Sequence, residues 1–256
     1  MELLLELKAR NALLFYFGLM HVGLAVLLIS WSFTSKVELT GVNAWYKPIK
    51  FALSTVLLVW AVAWYEGYLV DGDSRLSTIN WIIVLTLGFE VAYITWQAAR
   101  GELSHFNSST PFYAAMFSLM ALAASVATLA IGYVGLQFWT NPLPALSPHY
   151  LWAIRCGFVL FCVFAFQGFM MGGNGAHTVG AVDGGEGLPF LNWSSQFGDL
   201  RVAHFIGMHA IQVLPLLAYY LLRDVKWTLA VATLYGVLAC YVLWQALQAK
   251  PFLKFT

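Results

Sequence analysis

Residues 11–33 read NALLFYFGLMHVGLAVLLISWSF, a stretch that contains no Asp, Glu, Lys or Arg. The hydrocarbon core of a bilayer is about 30 Å thick, and an α-helix rises about 1.5 Å per residue. About 20 apolar residues of helix therefore cross the membrane, and this stretch is long enough to do so. The sequence predicts a transmembrane helix here.

Six further apolar runs of similar length follow along the chain. They occur at residues 49–70, 77–98, 111–139, 148–171, 200–222 and 227–248. Residues that favour turns separate them, for example Asp71-Gly72-Asp73, Asn141-Pro142 and Arg223-Asp224. We therefore predict an all-α, polytopic membrane bundle of seven transmembrane helices, forming a single domain over residues 1–256.

The composition agrees with a membrane protein. Of the 256 residues, 61% are hydrophobic and 10% are charged, whereas a soluble domain has about 25% charged residues. The formal net charge of +1 argues against nucleic acid as a partner. The three cysteines lie inside apolar runs, so they form neither a disulfide framework nor a CxxC metal site. The lipid bilayer is the expected partner.

One connection is much longer than the others. Residues 172–199 lie between the fifth and sixth apolar runs and contain eight glycines. Long loops in compact proteins are usually functional or disordered. This loop also carries the apolar residues Leu188, Phe190, Leu191 and Trp193. We therefore expect it to pack down on the bundle as a lid.

Polar residues occupy one face of two predicted helices. With about 100° of rotation per residue, a polar arc of about 140° on the sixth helix includes Arg201, His204, His209 and Gln212. A polar or ionisable side chain inside hydrocarbon is costly, so each is a functional hypothesis by default. On the third helix, the residues that share an arc of about 60° are Thr86, Glu90, Tyr93 and Gln97.

The order of the helices brings these polar residues to the same membrane face as the lid. Glu90 and His209 lie about 12–14 Å below that face, at about 1.5 Å per residue. We therefore predict a polar site beneath the lid. Besides the histidines and Glu90, its expected members are Lys47, Lys50, Gln97, Arg100, Gln167, Asp183, Arg201 and Gln212.

Four stretches carry a resemblance to known proteins. They are residues 45–54 (WYKPIKFALS), residues 97–107 (QAARGELSHFN), residues 176–189 (AHTVGAVDGGEGLP) and residues 198–205 (GDLRVAHF). Together they resemble an uncharacterised family of bacterial multi-helix integral membrane proteins. The resemblance spans the second to the sixth helix and implies a bacterial cytoplasmic (inner) membrane. It carries over no activity and no catalytic residue.

The orientation in the membrane is predicted from the basic residues. If Lys47, Lys50, Arg100 and Arg201 serve the site, five other basic residues flank the side of the N-terminus and three flank the opposite side. The positive-inside rule then favours a cytoplasmic N-terminus.

The first functional hypothesis is binding of haem b or of a transition metal ion for redox chemistry or sensing. Imidazoles from separate helices are common axial ligands of haem, and His209 with His21 would provide such a pair. Alternatively, His204 or His209 would bind a non-haem metal together with Glu90. A loop histidine, either His105 or His177, would complete that ligand set.

Two other hypotheses stay open, and so does the question of whether the chain is an enzyme. In the second, the protein is a carrier or sensor of a small anionic molecule, since Lys47, Lys50, Arg100 and Arg201 converge at a helix N-terminus. The third is a metal-dependent membrane hydrolase using Ser104 or Ser194 near the histidines. The possible partners besides the bilayer are therefore a small-molecule ligand or a redox partner.

The same residues also have a purely structural interpretation. Glu90 would then form a buried ion pair with Lys50 or Arg100, because buried charges require partners. The membrane histidines would be hydrogen-bonded packing residues. At the opposite membrane face, Arg155 is expected to pair with Glu66 in a structural ion pair.

The haem hypothesis predicts a Soret band in the absorption spectrum of the detergent-purified protein. Bound non-haem metal would instead be detected by elemental analysis, at about one ion per chain. A folded preparation that is colourless and free of metal would contradict both forms of the hypothesis.

Overall fold

A computed structural model describes residues 2–69 and 74–254, and it confirms the all-α membrane bundle. Within the described residues, seven helices are long and apolar enough to cross a membrane. The predicted end of the second run at residue 70 and the Asp71-Gly72-Asp73 turn lie outside the described residues. The assignment of one domain to the whole chain stays a prediction.

The helices begin and end close to the predicted positions. They are α1 (Glu2–Arg10), α2 (Ala12–Ser32), α3 (Tyr46–Glu66), α4 (Ser74–Arg100), α5 (Pro111–Thr140), α6 (Pro148–Gln167), α7 (Phe169–Asn174), α8 (Leu200–Leu217) and α9 (Val225–Leu247). The long loop begins later than predicted, because residues 172–174 belong to α7. The sequence reasoning also missed α1 as a separate helix.

Two short antiparallel strand pairs lie at the membrane face of the long loop. β1 (Glu38–Leu39) pairs with β2 (Val42–Asn43) between α2 and α3. β3 (Thr178–Val179) pairs with β4 (Gly198–Asp199), so the two ends of the long loop are joined by main-chain hydrogen bonds. The start and the end of the loop are therefore held together at its base.

Several predicted helix boundaries have side-chain caps. Asn11 accepts a hydrogen bond from the Leu14 amide at 2.9 Å and begins α2. Thr110 accepts from the Tyr113 amide at 3.2 Å, and Pro111 follows it at the first position of α5. The first amides of a helix have no partner within the helix, so these side chains satisfy groups that hydrocarbon cannot.

The tightest helix contact is between α6 and α8, and glycines allow it. A Cβ atom at Gly157 would lie 3.0 Å from the Ala210 oxygen and 3.0 Å from the Ile211 Cα. A Cβ atom at Gly207 would overlap the side chain of Phe164. Small residues let membrane helices approach closely, where packing replaces the hydrophobic effect as the main attraction.

Pro215 lies inside α8 and removes one main-chain hydrogen bond. Proline has no N–H, so the Ile211 carbonyl four residues earlier lacks its usual donor. The Tyr65 hydroxyl on α3 donates to this carbonyl instead, at 2.5 Å. The helix then continues as a π-helical turn over Ala218–Leu222. A side chain from one helix thus satisfies a carbonyl that another helix leaves unpaired.

The largest apolar cluster lies at the end of the bundle opposite the long loop. Its fully buried members include Leu14, Ile83, Phe138, Ile154 and Phe158. At the other end the buried apolar residues divide into separate clusters around Trp45, Phe164 and Tyr93. The end opposite the loop therefore holds the largest cluster beside a smaller one around Leu214, and the end near the loop holds several small clusters.

The close α6–α8 contact gives a test of the packing. We expect Gly207→Ala to destabilise the protein by about 1–3 kcal/mol, because the added methyl group forces the Phe164 ring to move. The matched control is Gly23→Ala in α2, where a Cβ atom has nothing within 4 Å. The measurement is thermal unfolding in detergent, and equal stability of the two variants would contradict the packing described here.

Candidate functional site

The start of α8 is organised by a buried carboxylate. Asp199 is 1% exposed and caps the helix by accepting from the Arg201 amide at 3.0 Å. It also accepts from the Ser194 amide at 2.9 Å. The Arg201 guanidinium forms a two-pronged ion pair with it, at 2.9 Å and 2.5 Å. Such paired contacts are the strong form of a charge-assisted hydrogen bond.

Two cations hold the tip of the long loop through main-chain carbonyls. The Arg201 guanidinium donates to the Asn192 carbonyl. The Lys50 ammonium on α3 donates to the neighbouring Leu191 carbonyl at 3.1 Å. Phe190 and Asn192 have φ values of 63° and 56°, which is the left-handed region that residues other than glycine rarely adopt. Strained backbone of this kind concentrates at functional sites.

The loop tip packs on α3 through aromatic contacts. The Phe190 ring lies 5.7 Å from the Tyr46 ring, and the Lys50 ammonium lies 5.8 Å from the Phe190 centroid. Outside the tip is an open groove of about 480 Å³, lined by the β1–β2 turn, Tyr46 and residues 184–190 with Asn192. The loop thus covers Lys50 from the side of the groove.

Lys47 and His105 form a second pair on the same face. The Lys47 ammonium lies 3.0 Å from His105 Nδ1, and the Ser104 hydroxyl lies 3.0 Å from the same nitrogen. An ammonium can only donate, so this nitrogen is the acceptor and the ring is neutral. Burial, followed by the Lys47 charge and His177, holds the pKa of His105 well below its ordinary value. Lys47 is therefore bound to an uncharged partner.

His177 and Asp183 form a short hydrogen bond within the loop. Their side chains are 2.6 Å apart, and the same carboxylate accepts from the His177 amide and, at 2.9 Å, from the Thr178 amide. Burial opposes ionisation of Asp183, but these hydrogen bonds hold its pKa well below the ordinary value. Burial lowers the pKa of His177, and the hydrogen bond that its ring donates to Asp183 opposes this shift. Asp183 is therefore a carboxylate that already has its partners.

These residues are within electrostatic range of one another. Lys47 interacts with Arg201, Lys50 and Asp183, while His204 interacts with His177 and His209. With neutral histidines, three cations (Lys47, Lys50, Arg201) face two carboxylates, Asp183 and Asp199. The group therefore has an excess of positive charge when both lysines are protonated.

Other predicted members lie outside this group. Arg100 turns outward, donates to the Tyr113 hydroxyl at 3.0 Å and stacks on Trp96. Gln97 is fully buried and donates to the Leu103 carbonyl at 3.0 Å, where it supports the loop that carries His105. Helix order gives the membrane face of a side chain but not its partner; Arg100 lies apart from this group, and its membership of the site stays a prediction.

The deeper polar residues make separate contacts. The Gln212 amide donates to the Leu57 carbonyl at 3.3 Å, and its oxygen lies 3.2 Å from His209 Nδ1. Among the described residues, Glu90 Oε1 and both amide atoms of Gln167 are buried without a hydrogen-bond partner. The structural interpretation that pairs Glu90 with Lys50 or Arg100 is wrong, because the described residues contain no such ion pair.

The histidines do not assemble into an evident ligand set. In the described ranges, no group of three or more His, Cys, Asp or Glu side chains is arranged to hold a metal ion. His21 is 1% exposed, its Nδ1 lies 2.8 Å from the Phe17 carbonyl, and its ring packs on Phe17. It lies on α2, which packs along α3, whereas His209 lies on α8, which packs on α6 and α9. Binding of haem or metal stays a prediction.

Sequence reasoning left Asp199 out of the predicted site, although a signal was present. An Asp directly before the first residue of an apolar helix is a common N-cap. The main-chain carbonyls of Leu191 and Asn192 carried no signal, since their orientation follows from the left-handed backbone at the loop tip. No family model, curated protein or solved structure matches this chain.

The Asp199–Arg201 pair gives a test of the lid. We expect Arg201→Met to cost about 3 kcal/mol of stability, since it leaves a fully buried carboxylate without its cation. It should also speed proteolytic cleavage in residues 175–199, because the loop tip loses one of its two cations. Glu186→Gln is the control, as this exposed side chain of the same loop contacts Gln196. Equal cleavage rates in the two variants would contradict the role of Arg201.

Proposed function

We propose that this integral membrane protein binds a small anion at the face covered by the long loop, as a sensor or a carrier of that molecule. The observation that carries the proposal is the position of Lys47. Within the described residues, no carboxylate lies within 4.0 Å of its ammonium. A partly buried cation whose side-chain partner is a neutral imidazole is costly unless a ligand supplies the negative charge.

Nearby carboxylates do not remove this excess charge. Asp199 is paired with Arg201, and Asp183 is paired with His177 and two main-chain amides. An incoming anion would therefore meet Lys47 without competing for it against a carboxylate. The Lys50 ammonium has three N–H donors and one bond to a carbonyl, so it can donate to the same ligand.

The loop tip supplies a means of gating. Lys50 and Arg201 hold Leu191 and Asn192 through neutral carbonyl oxygens. An anionic oxygen is a stronger acceptor for a cation than a carbonyl is, so a bound anion would replace these carbonyls and release the tip. The groove of about 480 Å³ outside Phe190 is large enough for a small molecule to approach.

Sensing is favoured over transport by the helices themselves. Carriers with alternating access commonly bind their substrate at helices that are interrupted near the middle of the membrane. Here the breaks among the described helices lie near their ends, at Gly168 after α6 and at the π-helical turn after α8. A sensor that binds its molecule at one membrane face and responds by a movement of the loop requires no such interruption.

A haem or transition-metal site is the second proposal, and one contact supports it. The Nδ1 atom of His204 lies 2.7 Å from the Phe164 carbonyl, which leaves Nε2 available as a ligand. This second hydrogen bond is typical of histidines that bind metals. The hydrolase hypothesis has less support, because the Ser194 hydroxyl accepts from the Phe197 amide and Ser104 shares its histidine nitrogen with Lys47.

The anion proposal is tested by thermal unfolding of the protein in nanodiscs. The probes are inorganic phosphate, sulfate and succinate, each compared with chloride at constant ionic strength. A probe present at 100 times its dissociation constant stabilises the folded state by about 2.7 kcal/mol. We expect Lys47→Met to weaken binding at least about tenfold, which corresponds to about 1.4 kcal/mol.

The variants separate a ligand site from a structural ion pair. Because Lys47 has no carboxylate partner, Lys47→Met should leave the stability of the unliganded protein unchanged or raised. A structural pair would instead lose stability. Lys226→Met, at an exposed position on the opposite face, is the control and should bind like the parent protein. Failure of all three anions to stabilise the parent protein would contradict the proposal.

A further inference from the structure

A second polar group lies at the membrane face opposite the loop, and it centres on Glu66. This residue is 8% exposed, at the last position of α3. Its Oε2 atom accepts from the Asn11 side-chain amide at 2.6 Å and from the Asn80 side-chain amide at 2.8 Å. Asn11 begins α2 and Asn80 lies on α4, so one carboxyl group joins three helices.

The expected pairing of Glu66 with Arg155 is wrong. The Arg155 guanidinium on α6 donates to the Phe138 carbonyl at 2.8 Å and stacks on Trp139 and Trp152. Arginine binds well to both carbonyl groups and aromatic rings. A search of the sequence for opposite charges does not detect such partners. Glu66 is thus left without this cation.

The other charged and titratable groups around Glu66 have partners of their own. From α1, Arg10 bonds to Glu6 at 2.9 Å and to the Trp64 carbonyl at 2.8 Å. At the start of α4, Arg75 has interactions of its own. Among the described residues, the phenols on this side of the bundle are those of Tyr65, Tyr68 and Tyr150. No Lys or Arg nitrogen of the described residues lies within 4.0 Å of the Glu66 carboxyl group.

Two acceptor atoms in this group have no donor. Glu66 Oε1 and Asn80 Oδ1 are both buried and lack a hydrogen-bond partner among the described residues. The orientation of Asn80 is fixed, because only its NH₂ group can donate to Oε2 of Glu66. An unsatisfied acceptor in an apolar region costs free energy, so a missing donor or cation is indicated for both atoms.

We propose that Glu66 is a proton-binding site, in which the neutral acid donates from Oε1 to Asn80 Oδ1 while Asn80 donates to Oε2. A primary amide and a carboxylic acid can form this two-bond ring, and it satisfies both unpaired oxygens at once. A metal cation fits less well, because hard cations take about six or more oxygens and only two are free here. The proposal does not depend on anion binding at the opposite face.

The proton would control a junction of helices. With Glu66 neutral, the carboxyl group bonds α2, α3 and α4 without placing a charge beside the largest apolar cluster, which includes Val62, Ala63 and Ile83. Loss of the proton would leave an unpaired carboxylate there. At neutral pH the folded protein would hold a proton that the unfolded chain has already released, so its stability would fall as the pH rises.

Infrared difference spectroscopy of the full chain in nanodiscs tests the proposal. We expect the C=O band of a protonated carboxylic acid near neutral pH, with a shift in heavy water. Glu66→Gln should remove the part of this band that belongs to Glu66, whereas the control Glu186→Gln, at an exposed glutamate of the long loop, should keep the whole band. Retention of the whole band in Glu66→Gln would overturn the proposal, and so would a carboxylate signal with bound water in its place.

A second measurement holds even if Glu66→Gln fails to fold. Asn80→Leu removes the acceptor of the proposed acid, and it should shift the band of the parent protein toward that of an unbonded acid or abolish it. An unshifted band would exclude the ring. In the parent protein, the melting temperature should fall as the pH rises from neutral, by at most about 5 °C per pH unit. Replacing sodium by choline should change nothing, and a sodium-dependent shift would assign the site to a metal cation.

Discussion

The ion pair between Asp199 and Arg201 is the contact on which the covered face of the bundle depends. Asp199 is excluded from solvent, caps α8 and lies in the strand that closes the long loop. Arg201 neutralises it and also holds the loop tip through Asn192. Without the cation, a bare carboxylate would remain at the boundary of the membrane, where neither water nor lipid compensates it well. This one ion pair therefore contributes to the cap of α8, to the closure of the loop and to the balance of charge.

The two ends of the bundle accommodate buried polar side chains in different ways. At the end near α1, the largest apolar cluster surrounds a few polar side chains that are bonded to carbonyls, amides or aromatic rings. At the covered end, separate apolar clusters leave room for lysines, an arginine and histidines. The first arrangement favours rigidity, since most of its polar groups bond to neighbouring residues, apart from one oxygen each of Glu66 and Asn80. The arrangement at the covered end contains cations that can still donate hydrogen bonds to a ligand.

The sequence was sufficient for the helices, because the length of an apolar run and the thickness of a bilayer leave little choice. It was also sufficient for the common face of Lys47, Lys50, Asp183 and Arg201, since helix order alone decides which ends meet. It failed where partners are carbonyls or rings. Arg100 stacks on Trp96, and no pattern of charges signals such a contact. The left-handed turn at the loop tip is a tertiary feature, stabilised by cations that are distant in sequence.

Pro215 and Tyr65 form a unit although they are distant in sequence and lie on different helices. The proline leaves the Ile211 carbonyl without an amide donor, and the tyrosine hydroxyl takes the place of that donor. Among homologues, each residue is useful mainly in the presence of the other. A lineage that replaces the proline restores the helical bond and frees the tyrosine to become phenylalanine. The two positions are therefore expected to covary, and an alignment would carry a record of a hydrogen bond that no single sequence displays.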